Sequence, residues 1–352
     1  MKNSLRVLIV VLLAVRVIAA AAPQQQPKKE EGPLPWAYAG DAPPNEPATP
    51  TAQPDTSLKH VPGSDLAFTI AQVVDGFGPA DWHPSDHGPM PDIVAHGRKP
   101  DVRACSLCHL PNGKGRPENA PVSGLPVEYF VRQLMDFRNG LRTSSEGRKR
   151  KAKLMAVYAN AMTDDEIRAA AEYFGSIPWT PWIKVIETET VPKTRIESDG
   201  LFVKLEGNET EPLGNRIIEV PENTEASTDL RDDHSPFIAY APIGSIKKGE
   251  ALVTTGGAGK TVQCAICHGA NLEGVGPVPP LAGRSPSYIA RQIYDIQHGT
   301  RRGSWSGLMK RAVQNLTTDD IVAICAYVSS RPVPVAASAS SADASSDPTA
   351  KR

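Results

Sequence analysis

Apolar and polar residues recur with helical spacing in two distant parts of the chain, over 129–139 and 288–298. Each stretch is followed directly by a glycine, a residue that commonly ends a helix. One further helix is expected after Thr163 and another after Thr317. Each threonine can cap a helix, and the acidic residues that follow favour its first turn. The pattern therefore predicts two small units that are both mostly helical.

The segment between these units, residues 181–233, has a different pattern. Acidic residues outnumber basic residues there, and three short runs are rich in β-branched and aromatic residues. These runs, at 182–186, 201–203 and 217–220, are typical of strands. We interpret the segment as an acidic linker with a small β element.

Residues 1–22 predict a secretory signal. Lys2 and Arg6 precede the apolar run 7–15, and small residues follow at 19–22. The run is shorter than the roughly 20 residues that span a bilayer. An arginine directly after it weakens both the signal and the anchor interpretations. An uncleaved N-terminal membrane anchor is the alternative. Export is the favoured interpretation.

Proline-rich and low-complexity stretches flank the helical units. Residues 23–91 form a proline-rich N-terminal extension, and within it residues 23–65 are expected to be extended or disordered. The end of the chain, residues 333–352, is rich in alanine and serine and is expected to be a disordered tail.

The two helical units are copies of one another. Cys105-Ser-Leu-Cys108-His109 recurs as Cys264-Ala-Ile-Cys267-His268, at an offset of 159 residues. The first copy then has five extra residues near 146–153, after which the offset is 154. Such sustained similarity predicts one fold used twice. The matched pairs outside the motifs include Tyr129 and Tyr288, Gln133 and Gln292, Arg142 and Arg301, Met155 and Met309, and Tyr173 and Tyr327.

The Cys-x-x-Cys-His motif carries the candidate chemistry. On a helical turn its two thiols and its imidazole lie on one face. The thiols can form thioether bonds to the two vinyl groups of a haem while the imidazole binds the iron, and the motif is a known signature of c-type haem attachment. Cys105, Cys108, Cys264 and Cys267 are therefore predicted to attach two haems, with His109 and His268 as iron ligands.

Two other uses of the paired cysteines are less favoured. A zinc site shared between the pairs would need a short intervening loop, whereas each pair belongs to its own repeat. Disulfides within each pair remain the other alternative in an exported protein. The fifth cysteine, Cys325, lies on the apolar face of the last helix and is interpreted as a packing residue.

A second iron ligand is expected from methionine, whose thioether raises the reduction potential of a His/Met haem. Met309 is the only methionine of the second repeat, in a segment interpreted as a loop, and Met155 aligns with it. Met135 and Met162 are interpreted as packing residues. His298 is the main rival in the second repeat, but its counterpart in the first is an asparagine.

On these residues the sequence resembles the class I cytochromes c, particularly the two-haem, two-domain cytochromes of bacterial periplasms. The resemblance covers residues 92–178 and 244–332, about half of the chain. It implies an all-α fold of two tandem cytochrome c domains, joined by a long linker with a small β element at 179–243. It also implies two covalently bound haems c.

The resemblance further assigns roles to single residues. Arg142 and Arg301 are expected near haem propionates, with solvated surface charge as the alternative. Tyr173 and Tyr327 are expected to pack in the two cores.

The function implied is electron transfer between an exported dehydrogenase or membrane redox complex and a downstream acceptor, without chemistry of its own. A dedicated cytochrome subunit of an exported dehydrogenase is the alternative. A two-haem peroxidase is less favoured, because paired methionines leave no open iron. Redox proteins, such as a dehydrogenase, an oxidase or another cytochrome, are the expected partners. Nucleic acid is not an expected partner, since the formal net charge is −1.

Two surface features remain open at the level of sequence. The basic stretch 128–153 is either a patch that steers an acidic redox partner or a solvated loop. His83, His87 and His96 precede the first motif and form either a metal site or ordinary surface histidines.

Overall fold

The computed structural model describes residues 34–40, 55–147 and 149–333. The predicted signal peptide, 1–22, lies outside the described residues. So does the predicted disordered tail, apart from its first residue. Among the described residues, no helix is long and apolar enough to cross a membrane.

Two sets of helices form the repeats, and a third group of short helices flanks them. The predicted amphipathic helices are present as α4 and α10, one in each repeat. The helices are α1 (Ile70–Val73), α2 (Asp92–Ala95), α3 (Cys105–His109), α4 (Val127–Arg138), α5 (Arg150–Ala161), α6 (Asp164–Ser176), α7 (Thr224–Thr228), α8 (Ser245–Thr255), α9 (Ala265–His268), α10 (Pro286–Gln297), α11 (Ser306–Val313) and α12 (Thr318–Ser330).

The predicted helix caps are confirmed. The hydroxyl of Thr163 accepts a hydrogen bond from the backbone N–H of Glu166 at 3.2 Å. Thr317 accepts one from the N–H of Asp320 at 3.3 Å. In both cases the acidic side chain bonds back to the threonine N–H, which completes a capping box at the start of α6 and α12.

The chain is not purely helical, so the predicted all-α class holds only for the repeats. In the described part of the chain, seven strands form three small sheets between the two repeats. In one sheet β1 runs parallel to β7, and β7 runs antiparallel to β6. The pairs β2–β5 and β3–β4 are antiparallel. The strands are β1 (Ile183–Glu187), β2 (Thr190–Pro192), β3 (Thr194–Ile196), β4 (Phe202–Lys204), β5 (Thr210–Pro212), β6 (Ile218–Pro221) and β7 (Phe237–Ala241).

The linker contains more β structure than predicted, and two of its strands share a hydrophobic core with the second repeat. Residues of β6 and β7 pack in the same apolar cluster as α8, α10 and α12. All four residues of β6 are buried, and in β7 buried and half-buried positions alternate. The first repeat has its own cluster, formed largely by α4, α5 and α6. Cys325, Tyr173 and Tyr327 are buried in these cores, as predicted.

The prediction that residues 23–65 are extended or disordered is wrong for 34–40. Trp36 and Tyr38 are buried against the second repeat. The Tyr38 hydroxyl donates a hydrogen bond to Asp295 Oδ1 at 2.7 Å. Arg291 donates one to the carbonyl of Ala37 at 2.8 Å. The average composition of the extension did not indicate this burial. A few aromatic residues are enough to bind a segment to the core even where its neighbours are polar and rich in proline.

The helices α8 and α12 approach each other most closely at Gly249. A Cβ atom built there would overlap the backbone carbonyl of Ala323 on α12. Because backbone cannot rotate away as a side chain can, the helices pack at this distance only with glycine at that position.

Replacing Gly249 with alanine is expected to destabilise the holoprotein by about 1–3 kcal/mol or more, because the two helices must separate. In a helix free of such contacts the same change would stabilise by roughly 0.5–1 kcal/mol. Chemical unfolding followed by the visible spectrum measures the difference. Lys247→Ala, on the exposed side of α8, is the control and should stay within about 0.5 kcal/mol. Unchanged or increased stability of Gly249→Ala would contradict this close packing.

Candidate functional site

The first motif forms the short helix α3 at the wall of a large cavity. Cys105, Cys108 and His109 all line it, and its empty space, including the open mouth, is about 1490 Å³. Other parts of its wall come from α4, α5 and α6, with apolar side chains such as Phe130 and Leu134. This pocket has the apolar lining that is typical of a cofactor site.

His109 is prepared to bind a metal through one nitrogen. Its Nδ1 lies 2.9 Å from the carbonyl oxygen of Ala120. Since a carbonyl can only accept, Nδ1 carries the proton and Nε2 keeps its lone pair. Burial lowers the pKa of His109, which favours the neutral imidazole that a metal needs.

The residue after His109 has a backbone conformation that is unusual for its type. Leu110 has φ 64° and ψ 157°, a region occupied almost only by glycine. At the equivalent position of the second repeat, Gly269 adopts nearly the same angles. Leu110 is held there by a small apolar cluster with Trp182, Leu201 and other residues of the β segment. The β segment therefore supports the loop that follows the first histidine.

The second motif repeats this local arrangement. Nδ1 of His268 lies 2.9 Å from the carbonyl oxygen of Pro279, and burial lowers the pKa of His268. The backbone N–H of Gly274 bonds to the carbonyl of His268 at 2.7 Å, as that of Gly115 bonds to His109 at 2.8 Å. The two motifs therefore present equivalent imidazoles.

No disulfide joins the four motif cysteines, so their sulfur atoms are available for thioether bonds to haem. Before attachment, burial raises the pKa of the Cys105 thiol to about 12 and that of the Cys264 thiol to about 11, so both would be protonated at neutral pH. Among the described residues, no cluster of potential metal ligands joins the two cysteine pairs. The arrangement does not match the shared zinc site considered as an alternative.

Met155 lies on the wall of the cavity that contains the first motif. Met309 packs, partly buried, against the core of the second repeat. Both residues belong to helices, α5 and α11, and not to the loop expected from the sequence around Met309. The helical spacing of apolar residues in α5 and α11 was not recognised in the sequence. A basic insertion precedes Met155, and glycine and serine residues precede Met309.

The competing side chains have other surroundings. Met162 is 6% exposed in the core of the first repeat, although it also touches the cavity. Met135 is partly buried against the same core. His298 stacks on Tyr294 with ring centroids 3.9 Å apart, and its Nδ1 lies 2.9 Å from the Tyr294 carbonyl.

Arg142 and Arg301 are buried at 9% exposure each, so the alternative of solvated surface charge is wrong. Each arginine bonds across to the other repeat. Arg142 donates to the hydroxyl of Tyr288 at 3.2 Å and to Gln292 at 3.0 Å. Arg301 donates to the hydroxyl of Tyr129 at 2.7 Å and to Gln133 at 2.9 Å. Sequence reasoning missed these tyrosine and glutamine partners, although the repeat alignment paired them.

The backbone repeats this reciprocity. Arg142 pairs with Arg301 in an antiparallel bridge. The N–H of Thr143 bonds to the carbonyl of Thr300 at 2.8 Å, and the N–H of Arg302 bonds to that of Leu141, also at 2.8 Å. Equivalent residues therefore face each other across a local two-fold axis, as in an isologous dimer interface. We call the six side chains around this axis the reciprocal arginine contact; they are Arg142, Arg301, Tyr129, Tyr288, Gln133 and Gln292.

The cavity of the first motif reaches this contact. Arg142 lines it, as do Tyr288 and Gln292 from the second repeat. Nε of Arg301 is buried, and none of the described residues accepts a hydrogen bond from it. Such a donor fits an anionic group at the interface, because a buried unpaired N–H is costly.

The basic stretch 128–153 is not a continuous solvated patch. Lys149 is 5% exposed and donates to the carbonyl of Ala39 at 3.4 Å. Lys151 pairs with the fully buried carboxylate of Glu118 at 3.3 Å, and Arg116 pairs with the same carboxylate at 2.7 Å. These cations hold the pKa of Glu118 at about 2 against the effect of burial. Much of the charge read from the sequence therefore serves internal ion pairs.

Together these residues fit haem c. Each motif offers two thiols for its vinyl groups and a neutral imidazole with a free Nε2 for its iron. The first pocket adds apolar walls for the porphyrin, and Arg142 offers a cation for its carboxylates. The geometry defines a c-type cytochrome with two attachment sites.

Comparison with known proteins agrees with this class. The family described as cytochrome c matches residues 246–332, in the second repeat. The chain is 32% identical over 233 residues to cytochrome c4 of Stutzerimonas stutzeri, across 64% of this chain and 84% of that protein. It is 37% identical over 76 residues to cytochrome c-554(548) of Halomonas halodenitrificans, across 21% of this chain and 92% of that protein.

A third relative is similar over both repeats. It is the thiosulfate dehydrogenase electron acceptor of Stutzerimonas stutzeri, 23% identical over 234 residues, which cover 66% of this chain and 80% of that protein. The chain belongs to the cytochrome c family, within its two-haem class I members. The predictions of two covalently bound haems c and of an electron-transfer function are thereby confirmed.

Proposed function

We propose that this cytochrome works outside the cytoplasm, where it accepts electrons from an exported dehydrogenase and passes them between its two haems to a downstream acceptor. The bound haems supply the redox chemistry, since their iron alternates between the ferric and ferrous states. The protein provides the ligands, the pocket and the route. Export rests on residues 1–22, which lie outside the described residues.

The reciprocal arginine contact is the observation that carries this proposal. It joins the pocket of the first motif to the second repeat through Arg142, Tyr288 and Gln292. Because this contact is buried from water, little solvent has to reorganise when an electron passes between the haems. This favours rapid electron transfer. The two arginines also offer positive charge to the carboxylate edges of both haems.

We further propose Met155 and Met309 as the second iron ligands. Support comes from the position of Met155 on the wall of the cavity that also contains the motif helix, and from the alignment of Met309 with Met155. A thioether ligand stabilises the ferrous state and raises the potential. With both iron positions filled, each site has no place for a substrate, which favours a carrier over a peroxidase.

The second repeat is the proposed entry face for electrons. Large apolar side chains are exposed near its motif: Ile266 and Leu308 at 72% each, and Val262 at 51%. Those that a bound haem leaves exposed would favour transient docking of a partner protein. By contrast, at the first repeat's cavity Lys149 is buried and Lys151 pairs with the buried carboxylate of Glu118.

A sulfur-oxidising dehydrogenase is the proposed donor. Relatives similar to this chain over two thirds of its length are thiosulfate dehydrogenase electron acceptors of Stutzerimonas stutzeri and Thiomonas intermedia. A shorter match is the cytochrome subunit of a sulfide dehydrogenase of Chlorobaculum tepidum.

Stopped-flow mixing of the oxidised holoprotein with thiosulfate dehydrogenase and thiosulfate tests this function. We expect both haems to become reduced, in two phases if one haem receives the electron first. Arg142→Gln and Arg301→Gln, separately and together, should slow the second phase, because each removes bonds that join the repeats. Arg168→Gln is the matched control, because Arg168 is an exposed arginine of α6 whose ion pair, with Glu172 at 3.4 Å, lies within one helix.

Failure of the dehydrogenase to reduce a protein that dithionite reduces fully would exclude this donor. Equal rates in the arginine variants and the wild type would remove the proposed route. Rapid turnover of hydrogen peroxide would favour the peroxidase alternative.

A further inference from the structure

Histidine and aspartate side chains meet where the N-terminal extension contacts the linker, apart from both haem motifs. One ligand atom from each of His83, Asp233 and His234 lies within 4.8 Å of the others. We propose that these three residues form a binding site for a late first-row divalent metal ion, represented here by zinc. This site goes beyond the proposed electron-transfer function and does not depend on it.

The fold brings together two segments that are far apart in sequence. The indole N–H of Trp82 donates to the carbonyl of Leu230 at 2.7 Å. Both residues pack in one small cluster with Val61 and Val73. Because Trp82 precedes His83 and Leu230 shortly precedes Asp233, this packing fixes the two halves of the site against each other.

Asp233 is the strongest indication of a missing cation. It is 1% exposed, and neither of its carboxylate oxygens has a hydrogen-bond partner among the residues that the structure describes. The nearest ion-pair contact is Nε2 of His83 at 3.7 Å, beyond hydrogen-bond length. A buried carboxylate without bonds is costly, and a metal ion would compensate it. Burial also raises the pKa of this carboxyl above its usual range.

The donor set selects the kind of metal. Two imidazoles and one carboxylate suit zinc and its late first-row neighbours, whereas calcium and magnesium prefer oxygen ligands. Zinc lies about 2.0–2.2 Å from such ligands, so two of them are at most about 4.4 Å apart. The spacing of up to 4.8 Å in the cluster therefore needs only a small contraction on binding.

Carboxylates around the cluster orient the two rings. Nε2 of His83 lies 3.2 Å from Asp232, and Nε2 of His234 lies 2.5 Å from Asp86. The rings stack with centroids 3.5 Å apart and planes within 4°. His234 is the exposed member, so an ion can enter from its side, and water can complete the coordination.

The site lies next to the loop that follows the first haem-binding histidine. Asn112, three residues after His109, donates a hydrogen bond to the backbone carbonyl of Asp233 at 3.0 Å. An ion bound here would therefore tie the extension and the linker to the first haem domain. We expect it to stabilise the fold without changing haem ligation.

Zinc titration of the chelator-treated holoprotein tests the site, with bound zinc counted by elemental analysis and affinity measured by calorimetry. We expect one zinc per chain beside two haem irons, and a rise of a few degrees in the melting temperature with excess zinc. His83→Ala, Asp233→Asn and His234→Ala should each weaken binding by at least about tenfold. His96→Ala, an exposed histidine outside the cluster, should bind as the wild type does.

The visible spectrum and haem content verify that each variant is folded. His234→Ala changes the exposed ligand and so disturbs packing least. Absence of stoichiometric zinc binding by the wild type would overturn the proposal. Equal zinc affinity in folded His234→Ala and in the wild type would also overturn it. If the wild type binds no zinc and Asp233→Asn is more stable than the wild type, the same conclusion follows. Those results would mean that the cluster is a metal-free polar network.

Discussion

Replacing Cys105 and Cys108 together with alanine is expected to reduce the haem content from two to one per chain. Both thioether bonds of the first site would be lost, and a single bond from His109 to iron holds haem far less firmly than covalent attachment. The haem that remains should be that of the second motif. The double change at Cys264 and Cys267 should give the complementary result.

Pyridine haemochrome absorbance, divided by the protein concentration, measures this loss directly. Cys325→Ala is the matched control, because this thiol is fully buried in α12 within the core of the second repeat. It should leave two haems in place. Two covalent haems in either double variant would contradict the assignment of the motif concerned.

Replacing Met155 with leucine is expected to lower the potential of one haem, on the order of 100 mV, and to leave the other unchanged. Loss of the thioether removes the ligand that favours ferrous iron, so the direction is downward. The weak long-wavelength band of methionine-bound ferric haem should fall to about half. Met309→Leu should have the same effect on the other haem.

Redox titration measures the change in potential, and the long-wavelength end of the visible spectrum measures the loss of the band. Met162→Leu and Met135→Leu are the controls, because their side chains pack in the core of the first repeat. Both controls should keep the full band. A full band in Met155→Leu, or its loss in Met162→Leu, would assign the first ligand to a different methionine.

The sequence was sufficient for the motifs, the caps and the main helices because these depend on local chemistry. A Cys-x-x-Cys-His turn needs only five residues, and Thr163 caps α6 through atoms three residues away. The repeat strengthened each assignment, since two copies rarely share a chance pattern. The roles of Arg142 and Arg301 toward the haem carboxylates remain predictions.

Features that depend on distant contacts could not be derived in this way. Tyr38 docks on Asp295, and His83 meets Asp233, across more than a hundred residues of chain. No local pattern marks such a pair. The three sheets were underestimated for the same reason, because the burial of β6 comes from its packing against the second repeat.

Haem stoichiometry of the exported wild-type protein tests the central claim most directly. Pyridine haemochrome analysis, together with the intact mass after acid–acetone extraction, should give two haems c per chain and a mass increase that survives extraction. A protein with no covalently bound haem, or with only one, would contradict the account of two attachment sites.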